Sequence, residues 1–264
     1  MTDQIFSRQR RYLARVRAVG APTDSHWLLD HMAQELVDRL SFITHETRRA
    51  LVFGHGATQL RTALSTETLI QRADVIAGPE IDIVADEDRL LLPEGSFDLI
   101  LACGTLDTID DLPGALILFR RALRPGGLFL GAMLGAGSLS RLRSAVQAAE
   151  LAAGAPSGLR FHPQIEVRAA GDLLFRAGFS TPVADQDTLS VRYSSFANLR
   201  ADIAGAGARI ALKQSAFLSR AVAAHLFLQM DHGPFEEIFS PIFMTGWSPV
   251  SGEKRPAGPV KMNG

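Results

Sequence analysis

Residues 50–56 have the sequence Ala50-Leu51-Val52-Phe53-Gly54-His55-Gly56, a short apolar run followed by two glycines. A short apolar run bounded by glycine is typical of a strand buried inside a sheet. Glycines at the end of such a strand permit a tight turn, and they let a ligand approach the backbone because they carry no Cβ. In an open α/β sheet, ligands bind beyond the carboxyl ends of the strands. This stretch therefore predicts a buried strand and the place where a binding site would form.

On both sides of this stretch, apolar runs alternate with helical patterns. A helix is predicted from about Ser25 to Leu40, because its apolar residues recur at three- and four-residue steps. Another helix is predicted to start at Asp110–Pro113, which supplies an acidic cap and a proline in the first turn. Further strands are predicted at Thr68–Ala73, Ile81–Ala85, Phe97–Ala102 and Leu128–Met133, and a further helix from near Ser138. Strands that alternate with helices predict an α/β fold with a doubly wound, mostly parallel sheet.

The sequence pattern changes beyond residue 155, where loop residues and short predicted elements are frequent. Predicted there are a helix from about Glu166 to Ala177, strands at Val183–Asp187 and Leu189–Tyr193, helices at Phe196–Ile203 and Phe217–Gln229, and a last strand at Ile238–Gly246. We therefore divide the chain into a basic N-terminal helix or arm (residues 1–24), one main domain (25–250) with an elaboration at about 151–235, and a tail (251–264) that we expect to be frayed.

The composition bounds the class of protein. The chain has 264 residues, of which 47% are hydrophobic, so disorder is excluded as its main state. Cys103 is the single cysteine and cannot form an internal disulfide, and no Cys/His cluster has zinc-site spacing, so we expect no metal. The longest run without a charged residue, Pro125–Ser140, is too short to span a bilayer. Because the N-terminus lacks the pattern of a secretion signal, we expect a cytoplasmic globular protein.

The net charge of −1 conceals an uneven distribution of charge. Residues 1–17 contain five arginines and one aspartate, whereas residues 74–111 contain eleven acids and Arg89 as the one basic residue. So acidic a segment argues against nucleic-acid binding, which depends on neutralising phosphates. The arginine run is typical of a solvated helix face. Contact with a phosphate or a lipid head group is the alternative.

Carboxylates follow the predicted second and third strands. Asp74 lies 20 residues after Gly54, where a carboxylate accepts hydrogen bonds from a pair of ribose hydroxyls. Asp86 ends the third candidate strand and is followed by Glu87. Together with the Gly54-His55-Gly56 turn, these acids predict a nucleoside pocket. The alternative is that the acids cap turns and face water.

The sequence contains no recognisable catalytic nucleophile. Its seven histidines are scattered, and neither a serine elbow nor a phosphate-binding loop is present, which argues against a hydrolase or a nucleotide triphosphatase. Cys103 follows an apolar strand, which places it beside the predicted pocket, and we count it with His55 and Glu87 among the candidate cofactor-binding residues. We expect it to be a small buried residue rather than a reactive thiol.

Several motifs carry a family resemblance that covers roughly residues 5–250 and is strongest from 83 to 193. The chain resembles class I S-adenosylmethionine-dependent methyltransferases at Ile83–Glu87, Phe97–Ile100, Asp111–Ala115 and Leu123–Gly127. It is similar, more specifically, to the methyltransferase-like family of the mitochondrial complex I assembly factor and its alphaproteobacterial relatives at Leu128–Gly135, Ser138–Leu139, Leu142–Arg143, Gly171–Leu174, Arg176–Phe179 and Val191–Tyr193.

The resemblance implies a seven-stranded Rossmann-like sheet that binds S-adenosylmethionine. Gly54 and Gly56 would pass close to the methionine moiety, Asp74 would hold the ribose, and Asp86 the adenine amino group. The resemblance also implies hydroxylation of an arginine in an iron–sulfur subunit of complex I, which makes that subunit the expected protein partner. The methyltransferase of biotin synthesis, which acts on a malonyl carrier-protein ester, shares the core of the fold.

The chain departs from the family pattern at the cofactor site. Val52 replaces an acid that would face the cofactor's ammonium group, and Thr58 replaces the last glycine of the first loop. After the fourth strand, Asp107 and Thr108 stand where the family has His-Trp, so an aromatic wall of the pocket is missing. Only Val75–Glu80 separate the second and third strands, although a parallel crossover usually needs a dozen or more residues. We therefore expect the intervening helix to be nearly deleted and one wall of the site to be open.

Three functions are compatible with these observations. The first is an S-adenosylmethionine-dependent enzyme that acts on a protein or a small-molecule acceptor. The second is a catalytically weakened methyltransferase-fold protein that serves as an assembly or interaction factor. The third is a methyltransferase for a malonyl carrier protein. If the basic N-terminal helix closes over the cofactor, deletion of residues 1–20 is expected to weaken cofactor binding.

Overall fold

The computed structural model describes residues 4–216 and 218–250. The strands are β1 (Arg49–Gly54), β2 (Leu69–Asp74), β3 (Ile83–Val84), β4 (Phe97–Cys103), β5 (Leu123–Leu134), β6 (Ser180–Gln186), β7 (Leu189–Tyr193), β8 (Phe235–Phe239) and β9 (Pro241–Trp247). The helices are α1 (Arg8–Val19), α2 (Trp27–Ser41), α3 (Ala57–Ala63), α4 (Leu112–Ala122), α5 (Ser140–Ala152), α6 (Val167–Ala177), α7 (Phe196–Gly205) and α8 (Arg220–Met230).

Across the described ranges, seven of the strands form one sheet in the order β3-β2-β1-β4-β5-β9-β6. The pairs from β3 to β5 are parallel, whereas β9 runs antiparallel to both β5 and β6. The order reverses beside β1, so the connections after β1 and β4 leave in opposite directions and open a crevice at their carboxyl ends. The predicted α/β fold with a doubly wound, mostly parallel sheet is confirmed.

Helices cover both faces of this sheet. α2 packs on one face against apolar side chains of β1, β4 and β5, and α4 and α6 pack on the other. Every residue of β4 is buried, which explains why its sequence is apolar apart from Asp98 rather than alternating between apolar and polar residues. In the part of the chain that the structure describes, no helix has both the length and the apolar character needed to cross a bilayer.

The prediction of one continuous last strand is wrong. Residues predicted as one strand at 238–246 belong to two strands, β8 and β9, which lie in different sheets. The break is at Ser240, whose backbone N–H donates to Ser138 Oγ and whose carbonyl accepts from the N–H of Gly135. Because both backbone groups of Ser240 are hydrogen-bonded to the segment that contains Gly135 and Ser138, they cannot pair with a neighbouring strand. The chain therefore leaves one sheet at Ser240 before it enters the other.

A smaller unit packs beside the main sheet. β7 and β8 form a two-stranded antiparallel sheet that shares an apolar cluster with α5, α7 and α8. Within the range predicted as an elaboration, α6 and β6 belong to the main layers, and β7 and α7 belong to this unit. The predicted helix at 217–229 begins at Arg220, while Phe217 and the predicted tail at 251–264 lie outside the described residues.

The connection between β2 and β3 is short, as the sequence predicts. Residues 75–82 contain no helix, yet Ala73 pairs with Ile83 and Asp74 with Val84 in parallel register. Since this connection contributes no helix to cover the sheet, the space beside β2 is available to another element.

Candidate functional site at the carboxyl ends of the strands

The turn after β1 depends on glycine. Gly54 and Gly56 have φ values of +82° and +109°, in the left-handed region that side chains rarely adopt. A Cβ added to Gly54 would lie 2.5 Å from the carbonyl oxygen of Cys103, a backbone atom that cannot move aside. The two glycines therefore bring the turn close to the end of β4, as a ligand cradle at this edge requires.

A cavity of about 290 Å³ lies over this turn. It is lined by Gly54, His55 and Gly56 from the turn, by Asp30 from α2 and by Thr58 from α3, with further lining residues Arg15, Ala18, Val19, His26, Leu29, Ala57, Gln59, Arg72 and Gly205. His55 Nε2 lies 2.7 Å from Asp30 Oδ1, so Nε2 carries the proton in this pair. Burial lowers the pKa of His55, which keeps the imidazole neutral at pH 7.

Asp74, the acid predicted to hold a ribose, is already paired. Its carboxylate is 1% exposed at the end of β2. Arg15 of α1 reaches it with two nitrogens, Nε and Nη2, each 2.8 Å from Oδ2. A carboxylate buried this deeply needs such a partner, because an unpaired charge out of water is costly.

Asp86 and Glu87 are paired with the same helix. Arg11 donates from Nη1 to Asp86 Oδ1 at 2.7 Å and from Nη2 to Glu87 Oε1 at 2.6 Å. Arg8 adds an ion pair to Asp86 and another to Asp88. Glu87 is fully buried, and this burial raises its pKa against the opposing attraction of Arg11.

The prediction that the arginine run is a solvated helix face is wrong for Arg11 and Arg15, which are 6% and 8% exposed. Arg8, Arg11 and Arg15 are spaced by three and four residues, so they share one face of α1. That face lies over the strand ends that carry the acids. This contact could have been predicted from two features of the sequence taken together: the spacing of the three arginines and the acid-rich segment at 74–111.

Helix α1 fills the end of the crevice where a nucleoside was predicted. The remaining gap, lined by Arg11, Ala14, Arg15, Val75 and Gly104 among others, is about 20 Å³, enough for about one water molecule. The wall that the sequence leaves open between β2 and β3 is thus covered by α1. The residues fit the predicted cofactor in chemistry, with a glycine turn and acids at two neighbouring strand ends, but the acids are held by arginines.

Cys103 lies in this region only through its backbone. Its carbonyl accepts a hydrogen bond from the N–H of His55 at 3.1 Å, while its thiol is buried and lies 3.9 Å from the carbonyl oxygen of Leu29. The side chain belongs to the apolar cluster beneath α2. The predicted site residues thus separate into a group around the cavity (Gly54, His55, Gly56), a group under α1 (Asp74, Asp86, Glu87) and a thiol that faces the core.

We expect Cys103 to resist thiol reagents in the native protein. Burial raises the pKa of its thiol to about 12, so the thiolate is scarce at pH 8 and is not accessible. Reaction with a chromogenic disulfide should proceed only at the rate of unfolding, and rapidly in denaturant. Rapid stoichiometric labelling of the folded chain at pH 8 would contradict this placement.

Two groups of polar residues could not be predicted from the sequence, because members of each group are far apart in the chain. Asp107 and His162 attract each other, and the N–H of Ala211 donates to His162 Nε2 at 2.8 Å, which places the imidazole proton on Nδ1. His31, Glu35 and Asp187 bring one potential metal-ligand atom each within 4.8 Å of one another. In the second group, only the four-residue step between His31 and Glu35 on α2 is visible in the sequence.

Comparison with known proteins finds relatives that share sequence with most of this chain. Residues 52–131 match a family described as a methyltransferase domain. Human mitochondrial arginine-hydroxylase NDUFAF5 is 30% identical over 255 residues, which cover 89% of this chain and 74% of that protein. A malonyl-[acyl-carrier protein] O-methyltransferase from Xylella fastidiosa is 26% identical over 254 residues, covering 86% and 84%.

Solved structures support the fold. A putative methyltransferase from Bacillus halodurans superposes with a TM-score of 0.53 at 12% identity, over 81% of this chain and 99% of that one. Identity this low bears on the fold alone, whereas the relatives above share sequence over most of their length. The chain therefore belongs to the methyltransferase-fold family of the arginine-hydroxylase NDUFAF5.

Proposed function

We propose that this protein binds S-adenosylmethionine at the carboxyl ends of β1, β2 and β4 and uses it to act on a protein or small-molecule acceptor. The observation that carries the proposal is the glycine turn at Gly54–Gly56 with a cavity above it, beside acids at the ends of two neighbouring strands. Membership in the NDUFAF5 family makes an arginine side chain of a complex I subunit the first acceptor to test. The carrier-protein relative makes a malonyl thioester the second.

Each part of the cofactor has a candidate partner in this crevice. The backbone of Gly54 and Gly56 would approach the methionine moiety, Asp74 would accept from the ribose hydroxyls and Asp86 from the adenine amino group. When bound, the cofactor supplies an electrophilic methyl group on sulfur. Asp30 lines the same cavity as the glycine turn, and it offers the carboxylate for the cofactor's ammonium that Val52, buried in β1, does not.

Binding of the nucleoside end requires α1 to release its acids. Arg15 holds Asp74 and Arg11 holds Asp86, so a ribose or adenine can reach these carboxylates only after the ion pairs separate. We infer that α1 exchanges its arginine contacts for the cofactor rather than closing over a cofactor already seated beneath it.

The test is a titration with S-adenosylmethionine, with S-adenosylhomocysteine in parallel, on the full chain and two matched variants. Thr58 and Thr62 are both exposed threonines on α3, but only Thr58 lines the cavity over the glycine turn. Thr58→Trp is expected to fill the cavity and weaken binding at least tenfold. Thr62→Trp is expected to bind as the wild type does.

Absence of binding heat in the wild type at 1 mM cofactor would overturn the proposal. Equal binding by both tryptophan variants would overturn the placement of the cofactor instead.

A second candidate function is that of an assembly factor that needs no cofactor. The observation in its favour is that Arg11 and Arg15 already satisfy the buried acids, which leaves a gap of about 20 Å³ at the nucleoside end. Such a protein would show no cofactor binding, yet would still bind its partner subunit in a pull-down with purified components. The titration above therefore distinguishes the two functions.

A further inference from the structure

A larger cavity, of about 590 Å³, lies beside the smaller two-stranded unit. Its walls come from the end of β5, from α5, α7 and α8, and from loop residues at 160–164 and 208–210. It shares no lining residue with the cavity over the glycine turn. Its volume falls within the range of small-molecule sites, about 300–1,000 Å³.

Most of the cavity wall is apolar. It includes Leu142 and Val146 of α5, Phe196 and Ile203 of α7, and Leu226 of α8. A wall of this kind gains free energy by removing an apolar body from water. It therefore favours an occupant with an aliphatic or aromatic body.

The charged residues of the cavity are almost all arginines. Arg17, Arg143, Arg160, Arg200 and Arg209 line it. Arg160 is held by Glu150, but among the described residues none of the other four forms an ion pair with a carboxylate. Asp107 is the one carboxylate among the lining residues, against five arginines. The cavity therefore carries an excess of positive charge.

Arg143 is the cation that most needs a counter-charge. It is half-buried, and its polar contacts are weak: Nε lies 3.2 Å from the carbonyl oxygen of Ser138 and Nη2 3.4 Å from that of His162. Its guanidinium lies 4.5 Å from the centre of the Phe161 ring. Burial lowers the pKa of Arg143, and the attraction of the Glu237 carboxylate offsets only part of this effect.

Arg200 supplies a second cation over the apolar wall. Its guanidinium carbon lies 5.9 Å from the ring centre of Phe196 and 5.8 Å from that of Phe227, and both rings line the cavity. Guanidinium groups bind carboxylate and phosphate oxygens with paired N–H donors. The cavity thus combines an apolar interior with anion-binding groups.

We propose that this cavity binds an amphipathic anion, with an aliphatic or aromatic body between α5 and α7 and a carboxylate or phosphate head against Arg143 and Arg200. Nothing in the proposal requires S-adenosylmethionine. Its test can therefore fail or succeed independently of the function proposed above.

The test compares ligands that share a ten-carbon body and differ in the head group. The full chain is titrated with decanoate, decyl phosphate and decanol, each below its micelle concentration. At least one of the two anions should bind tenfold or more tightly than decanol, and the comparison of carboxylate with phosphate identifies the head. Equal affinities for decanol and both anions, or no binding of any of them at 1 mM, would overturn the proposal.

Variants locate the binding. Arg143→Gln and Ile203→Trp should each weaken binding of the preferred anion at least tenfold, one by removing the cation and the other by filling the cavity. Arg143→Lys should recover part of the loss, since it restores charge without the planar fork. Arg176→Gln removes an exposed arginine of α6 that does not line the cavity, and it should leave the affinity unchanged.

An equal loss in Arg176→Gln would mean a general charge effect and would contradict the site. Because Arg143 is half-buried, exposed Arg200→Gln provides a second removal of charge that does not depend on how well Arg143→Gln folds. Undiminished binding in Arg200→Gln and in a folded Arg143→Gln variant would likewise overturn the proposal.

Discussion

Replacement of Arg15 by Gln is expected to tighten S-adenosylmethionine binding at least tenfold. In the wild type, the ribose must displace Arg15 from Asp74, and this breaks two charge-assisted contacts of 2.8 Å in a buried setting. Hydrogen bonds to charged groups contribute about 1.5–3 kcal/mol, and each factor of ten in affinity corresponds to about 1.4 kcal/mol. In the variant these contacts are absent and need not be broken, so the affinity measured by calorimetry should rise.

Asp74 alone is a poor test of the ribose contact. Asp74→Asn removes a cofactor partner and also the ion pair that competes with the cofactor, so the two effects offset each other. In the Arg15→Gln background only the first effect remains. There, adding Asp74→Asn should weaken cofactor binding at least tenfold, and the double-mutant cycle measures the competition directly.

Arg17→Gln is the matched control. It removes an exposed arginine from the same helix that pairs with no carboxylate of the described residues, and it should leave cofactor affinity unchanged. If Arg15→Gln instead weakens binding, α1 closes over the bound cofactor, which is the arrangement in which deletion of residues 1–20 weakens cofactor binding. That result would contradict the exchange of contacts inferred here.

Replacement of Arg11 by Met should produce the largest loss of stability. Glu87 is completely buried, and Arg11 is its cationic partner at 2.6 Å. Removing one member of a buried ion pair costs about 3–5 kcal/mol, because the other charge is left uncompensated. Urea unfolding at pH 7 should show a decrease of this size in the free energy of unfolding.

The loss should depend on pH in a defined direction. Without Arg11, the pKa of Glu87 rises further above its unfolded value, so the folded variant binds a proton that the unfolded chain releases. Its stability is therefore greatest at low pH and falls as pH rises through the interval between the two pKa values. The difference in the free energy of unfolding between the wild type and Arg11→Met should therefore become smaller as the pH is lowered from 7 to 5.

Two further variants test the cause. Arg11→Met/Glu87→Gln removes both charges and should recover most of the loss, because a neutral side chain is far cheaper to bury. Arg121→Met breaks an exposed ion pair with Glu94 and should cost less than about 1 kcal/mol. Equal losses in Arg11→Met and Arg121→Met would contradict the buried pair.

The sheet could be predicted because its signals are local. Ala50–Phe53 and Phe97–Ala102 are short apolar runs bounded by turn residues, and such runs form buried strands wherever helices cover both faces. The prediction failed at Ser240, which looked like the interior of one strand. Its break depends on hydrogen bonds to Ser138 and Gly135, about a hundred residues earlier in the chain.

The chemical types at the candidate site were also visible in the sequence. Spacing from Gly54 singled out Asp74, and the end of the third strand singled out Asp86. Their partners were not visible, because Arg15 and Asp74 are 59 residues apart and Arg11 and Glu87 are 76 apart. No local pattern connects residues at such separations.

By itself, the amino-acid sequence determined the doubly wound sheet, the glycine turn after the first strand and the acids at the next two strand ends. These follow from hydrophobic periodicity and backbone conformation, which act between near neighbours in the chain. Only the tertiary structure decided that α1 lies across those acids and that five arginines line the cavity beside α5 and α7, four of them without an ion pair to any described carboxylate. Burial and charge pairing are properties of surfaces that folding brings together. The same arginine run is therefore compatible with a helix face exposed to water, and only the position of α1 in the fold distinguishes the two arrangements.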